Sequence, residues 1–241
     1  MLEAGLWGFG AALALVLGAF IGLAGGVRRR IVSLAMAFGA GALISALAYD
    51  LTEDAFAHGG ALAVAIGLAA GALVFYTGDQ LLHQRGAARR GPRMKQVGTN
   101  GPAIVLGALL DGIPESVVLG TTLLAGVGIS VPFLAAVFIS NVPEGLSAAR
   151  DLRQEGHAPR WIIGLWILVA VVSGLAAALG YGLLGDMGEG AVPLIQAFAA
   201  GAILTMLVDT MIPEAFAEGG DLVGLATVSG FALAFLLSTV T

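Results

Sequence analysis

Two short segments put oxygen-bearing side chains beside helix-breaking prolines in the middle of long apolar stretches: Asp111-Gly112-Ile113-Pro114-Glu115 and Ser140-Asn141-Val142-Pro143-Glu144-Gly145. On a helix Asp111 and Glu115 are four residues apart and share a face; so do Ser140 and Glu144, with Asn141 three residues from Glu144. Pro114 and Pro143 carry no N–H, so the carbonyls of Leu110 and Ile139 lose their usual intrahelical partners, and in lipid such carbonyls need another one. A cation would satisfy carboxylates and freed carbonyls together. Asp111, Glu115, Asn141 and Glu144, with Ser140 nearby, form an oxygen-only set. It suits Zn, Fe(II), Mn or Cd as transported ions better than Mg, which gives up its water reluctantly. Taken singly, a proline in a membrane helix is a kink, and a membrane acid pairs with a neighbour or takes a proton. Two such elements, with no Lys or Arg in any apolar core, favour paired half-sites. Each acid at bilayer depth costs roughly 2.5 to 3.5 kcal/mol, which argues against ornament.

A second acidic group, Asp50, Glu53 and Asp54, lies near the outer end of the second apolar segment, with His58 following. Its counterpart in the seventh segment is Asp209 and Glu214. Asp50 and Asp54 read as an entrance station for the cation and Asp209 as an inner one; interfacial charge is the plain alternative for Glu53, Asp54 and Glu214.

These side chains need a membrane scaffold to hold them. The 241 residues are 58% hydrophobic and 11% charged, with a mean hydropathy of +0.95, as in a polytopic membrane protein and unlike a soluble domain. No cysteine is present, which excludes disulfides and thiolate metal sites. The net charge of −5 gives no sign of nucleic-acid binding, and no organic cofactor is expected. Glu3 and the lack of a basic start speak against a cleaved leader. Eight apolar segments, near 4–27, 31–56, 60–82, 101–126, 131–150, 160–184, 191–216 and 220–240, each approach the length needed to span. All 11 basic residues fall between alternate segments: Arg28 to Arg30, the stretch from Arg85 to Lys95, and Arg150, Arg153 and Arg160. By the positive-inside rule those loops are cytoplasmic and both termini are extracytoplasmic.

An internal repeat supports this count. Phe38–Gly60 aligns without gaps onto Phe198–Gly220 at an offset of 160, with Phe38, Gly41, Leu47 and the ending Ala-Phe-Ala-x-Gly-Gly retained. The second and seventh segments run in opposite directions. The expected architecture is therefore a single all-α transmembrane domain, 1–241, with inverted repeats of three helices (1–82 and 160–241) around a central pair (101–150) and a cytoplasmic loop at 83–100. Transporters are often built this way, with the substrate at mid-membrane on broken helices. The Gly-rich interfaces are expected to let one bundle slide against another.

Over nearly the whole chain these residues resemble the ZIP (Zrt-, Irt-like) family of divalent metal transporters, nearest its bacterial branches. Ala199-Ala200-Gly201-Ala202-Ile203 followed by Asp209-Thr210-Met211-Ile212-Pro213-Glu214-Ala215 is similar to the family's Ala-Gly-Ala-Met and Asp-Glu-Leu-Ile-Pro-Glu-Ala. Asn141-Val142-Pro143-Glu144-Gly145 resembles its His-Asn-x-Pro-Glu-Gly, and Pro114-Glu115 fits the corresponding element of the fourth helix. Asp50 and Asp54 match the acids of its second helix. The resemblance implies an eight-helix ZIP-like bundle in the inner membrane, a metal site between helices four and five, uptake into the cytoplasm and a homodimer. The chain departs from the family pattern where Asp111-Gly112 replaces His-Asn, Ser140 replaces His, Ala177 replaces a metal-binding Glu in the sixth helix and Thr210 replaces Glu. Two rival readings stay open: a ZIP-like protein with a degenerate site and no transport, and an intramembrane hydrolase with Asp50 and Asp209 as an acid dyad.

Overall fold

The computed structural model describes residues 1–84, 101–125, 128–185 and 190–240, and the expected loop at 83–100 lies almost wholly outside them. The described residues are helical, with no strand among them. The long helices are α1 (Leu2–Ala24), α2 (Arg29–Ala46), α3 (Glu53–Gln84), α4 (Gly101–Thr122), α5 (Val131–Gln154), α6 (Pro159–Gly185), α7 (Ala191–Met206) and α9 (Val223–Ser238), with a short α8 (Ile212–Gly219). Five runs are long and apolar enough to cross a membrane: Leu2–Ala24, Arg29–Leu81, Val131–Gln154, Pro159–Gly185 and Ala191–Ser238. Apolar sequence of this kind folds as helix because each backbone polar group then finds its partner within the segment.

Two of the runs, at 53 and 48 residues, far exceed what a bilayer requires. Each is interrupted twice, at matching places. A π turn at Leu47–Thr52 links α2 to α3, and another at Leu207–Met211 links α7 to α8. Gly60 (φ 74°) then breaks the first run and Gly220 (φ 65°) the second, a backbone region that side chains disfavour. All four features obey the offset of 160 found in the sequence.

The tightest helix crossings repeat the match. At α2 on α9, a Cβ on Gly41 would lie 1.8 Å from the Thr227 carbonyl oxygen, and one on Gly230 1.9 Å from that of Phe38. At α3 on α7, a Cβ on Gly71 would lie 1.8 Å from the Phe198 carbonyl oxygen, and one on Gly201 2.2 Å from that of Leu68. Phe38 and Gly41 correspond to Phe198 and Gly201, so the two crossings are built alike.

Packing gathers α1, α4, α5 and α6 together, and sets them against the remaining helices, which pack as two sets joined through the π turns. In the first group, α1 lies along α5 and α6, and α6 along α4; among the rest, α2 packs on α9 and α8, and α3 on α7. The seam between them is formed mainly by α2 against α5 and α4 against α7. One apolar core, with Leu43, Leu47, Phe133, Ile203 and Leu207, spans that seam; another, with Leu15, Leu152, Ile162 and Trp166, holds the first group together. The closest glycine contacts fall within the groups and not along the seam. They bring helix backbones into direct contact within the groups. Gly39 is the exception: a Cβ there would come within 2.7 Å of the Ser140 Cα across the seam.

Polar contacts mark one end of the bundle. Arg150, near the end of α5, donates to the Val27 carbonyl in the α1–α2 turn, and Arg29 pairs with Glu218 of α8 at 2.9 Å. The first residues of α5 lie at the opposite end. There Ser130 caps the helix by accepting from the Phe133 N–H at 3.1 Å, and Pro132 sits in the first turn where its missing N–H is harmless.

The crossings make a direct prediction. Gly71→Ala should destabilise the protein by about 1 to 3 kcal/mol through overpacking. Gly10→Ala, with nothing within 4 Å of the new carbon, should be neutral or slightly stabilising because alanine is the better helix former. Thermal unfolding of the two variants in detergent checks the contrast.

Candidate functional site

The structure brings the two proline elements together. Pro114 lies inside α4 and Pro143 inside α5, and the polar residues around them turn into the bundle. Asp111 is 6% exposed, Glu115 4%, Asn141 5% and Ser140 1%, while Glu144 is half-buried. Glu115 lies within electrostatic range of both Glu144 and Asp111, and among the described residues no basic side chain is recorded beside it. The Ser140 hydroxyl donates to the Val137 carbonyl of its own helix at 2.9 Å, which leaves its oxygen as an acceptor. Of the five residues singled out by spacing, Asp111 and Glu144 thus lie near Glu115, while Ser140 and Asn141 are buried on the same helix as Glu144. Among the described residues, however, no three His, Asp or Glu side chains converge into a ready-made metal cage.

Asp50 and Asp54 lie at the Ser130 end. They line a cavity of ≈ 520 Å³ with Thr122, Ser130 and Gln196. Asp50 accepts a hydrogen bond from the Ser130 hydroxyl at 3.0 Å, which ties the first π turn to the cap of α5 across the seam. Asp54 accepts from Gln196 Nε2 at 3.0 Å and lies 3.1 Å from His58 Nδ1. Thr122 follows Glu115 by seven residues on α4, so the cavity opens about 10 Å along the axis from the buried acids.

Asp209 requires a correction. It is exposed, and it lines neither of the cavities described here. At the offset of 160, Asp50 corresponds to Thr210 and Asp209 to Tyr49, which is likewise exposed. Thr210 is buried, and its hydroxyl bonds back to the Met206 carbonyl. Sequence reading paired Asp209 with Asp50 because both are aspartates one place apart; the π turn makes that one place the difference between the inside and the outside of the bundle. The inner position belongs to Glu214, the counterpart of Asp54, which accepts from the Ser147 hydroxyl at 3.0 Å. Glu214 lines a smaller cavity of ≈ 130 Å³ with Arg29, Ser147, Arg150 and Glu218. The sequence reading names Glu214 in the counterpart group, with interfacial charge as its alternative. Gln196 was missed, since a lone glutamine in an apolar helix has no spacing signal.

Acidic side chains therefore occur at three levels: Asp50 and Asp54, then Asp111, Glu115 and Glu144, then Glu214 and Glu218. One curated relative bears on what this arrangement handles. A protein of Arabidopsis thaliana named as a putative zinc transporter is 27% identical over 195 residues, 79% of this chain. The chain spans about a third of that relative's length, 31%. No protein-family model matches the chain.

Ala177 is fully buried, and its Cβ would lie 2.5 Å from a Cβ on Gly8 of α1. The same residue's carbonyl oxygen lies against Gly120 of α4. Placing a carboxylate there does not simply add a ligand. Ala177→Glu should cost about 1 to 3 kcal/mol through overpacking, with the buried charge as an added penalty. A lowered unfolding temperature without added metal is the expected result.

Proposed function

We propose that the protein is a divalent metal cation transporter of ZIP type, with eight transmembrane helices in an inverted three-plus-two-plus-three bundle and both termini outside. The observation that carries this reading is the buried group Asp111, Glu115, Asn141, Ser140 and Glu144, contributed by two proline-broken helices and, among the described residues, with no basic counter-charge recorded around Glu115. Intramembrane acids held this way mark ion paths. The Arabidopsis relative's name supports zinc among the candidate ions Zn, Mn, Fe(II) and Cd.

The end marked by Arg29 and Arg150 is taken as cytoplasmic, by the distribution of basic residues. The cavity at Asp50 and Asp54 then faces outward, and the Glu214 cavity is the narrower inner exit. In this conformation the inner end is held across the seam by Ser147 on Glu214 and by Arg150 on Val27. A cation would enter past Asp50 and Asp54, exchange water for the carboxylates of α4 and α5, and leave past Glu214 once those inner contacts part. Movement at the seam would shift access from one side to the other, since the closest glycine contacts lie within the groups and not across it. Asp209 has no part in this path, and a dyad with Asp50 gains no support from their placement.

The absence of a three-acid cage among the described residues favours a second reading, a ZIP-like protein that has lost transport. Uptake into proteoliposomes decides between them. Wild-type protein should accumulate Zn²⁺, Mn²⁺ or Cd²⁺ above empty vesicles, Glu115→Gln or Glu144→Gln should reduce this to background, Glu214→Gln should slow it, and Asp209→Asn should leave it unchanged. No uptake of any of these ions by folded wild-type protein establishes the second reading.

A further inference from the structure

The two cavities differ in charge as well as size. Asp50 and Asp54 line the outer one, and no lysine or arginine stands among its described lining residues. The inner one sets Arg29 and Arg150 beside Asp151, Glu214 and Glu218. Arg150 is committed to the Val27 carbonyl, and Glu214 accepts from Ser147. Arg29 reaches from α2 to α8, donating from Nη1 to Glu218 at 2.9 Å. It also lies within electrostatic range of Asp151 on α5. One guanidinium thus acts on carboxylates from both sides of the seam.

Ordinary structural roles explain this arginine poorly. It is the first residue of α2, where the helix dipole favours an acid and disfavours a cation, and that first turn holds no acid. Its pair with Glu218 is exposed, with 62% of the arginine side chain open, and such pairs add little stability. Orientation in the membrane calls for positive charge in this turn, but Arg28 and Arg30 supply it without lining the cavity.

We propose that Arg29 is a resident cation of the inner cavity: its guanidinium occupies Glu218 and screens Asp151, carboxylates that a divalent ion would otherwise meet, so this cavity releases cations while the outer one takes them up. The proposal rests on the transport reading for its meaning and adds to it a residue that sets release. A departing ion passes Glu214 into a space where a fixed positive charge competes for its ligands and repels it. The ion is handed to water instead of lodging at the exit, and cations on the far side are kept from loading in reverse. Guanidinium suits the task, because it stays charged at any physiological pH and its planar fork matches a carboxylate.

The test follows Mn²⁺ binding to purified full-length protein by electron paramagnetic resonance. Arg29→Gln should raise the affinity about threefold or more at low salt, since a unit charge close to a divalent ion has been removed. Arg29→Lys keeps the charge and should match wild type. Combining Arg29→Gln with Glu218→Gln should abolish the gain. Arg160→Gln removes a charge outside the cavity and should leave binding as it is. Unchanged binding in folded Arg29→Gln protein overturns the proposal. So does a gain that persists without the Glu218 carboxylate, or one that Arg29→Lys or Arg160→Gln shows equally. Should Arg29→Gln fail to fold, Arg29→His takes its place. Its Mn²⁺ affinity relative to wild type should climb between about pH 5.5 and about pH 8, as the imidazole gives up its proton, and a flat ratio overturns the proposal. Uptake by wild-type protein is the separate readout of the transport reading, so either idea can fail alone.

Discussion

The structure depends on keeping several carboxylates inside an apolar bundle with, among the described residues, no basic side chain recorded around the most buried of them, Glu115. Charge in such a setting is expensive unless it is paired, hydrated or bound to an ion. The protein meets the problem by distributing the acids. Those at the two ends have partners: Ser130 on Asp50, Gln196 and His58 on Asp54, Ser147 on Glu214 and Arg29 on Glu218. The middle acids Asp111, Glu115 and Glu144 lie near one another, and the sequence itself keeps Lys and Arg away from them. Neutral donors such as Ser130, Gln196 and Ser147 fix a carboxylate without cancelling its charge. An arginine in the middle would make a more stable protein and a blocked path.

Around this unfavourable centre the scaffold is unusually close-packed. Backbone meets backbone at the glycine crossings, and single departures from helical geometry at Gly60 and Gly220 break the long apolar runs. Close approach gives van der Waals contact where the hydrophobic effect gives none, because lipid is as apolar as the helix surface. The seam between the groups is packed instead by side chains such as Leu43, Phe133 and Leu207, with only Gly39 bringing the backbones close beside Ser140. Helix groups held this way can move as bodies while the ligands on each body keep their geometry.

Much of this was legible before any coordinates. Hydropathy gave the all-helical membrane character, because the bilayer permits so few alternatives. The paired prolines and acids gave Asp111, Glu115, Ser140, Asn141 and Glu144, since residues three and four apart on a helix share a face whatever the tertiary context. The ungapped repeat anticipated the matching π turns and matching glycines. What failed was everything that depends on rotation about a helix axis beyond an irregularity. Asp209 looked equivalent to Asp50 by residue type, but a π turn rotates the side chains that follow it, and periodicity alone carries no mark of that rotation. Gln196 was hidden for a different reason: its meaning lies in Asp54, 142 residues away in the chain.

The π turns also impose a rule on length. Deleting one residue between Leu47 and Thr52 would let the segment relax to ordinary helix while swinging all that follows by about 100°. Aspartate and tyrosine would trade places, with the ring turned into the vestibule and the acid offered to lipid. The second half of the chain already displays that arrangement with Asp209 on its outer surface. Exchanging Tyr49 and Asp50 would move one carboxylate by a single step from a half-buried position to the outer face, with no change in composition.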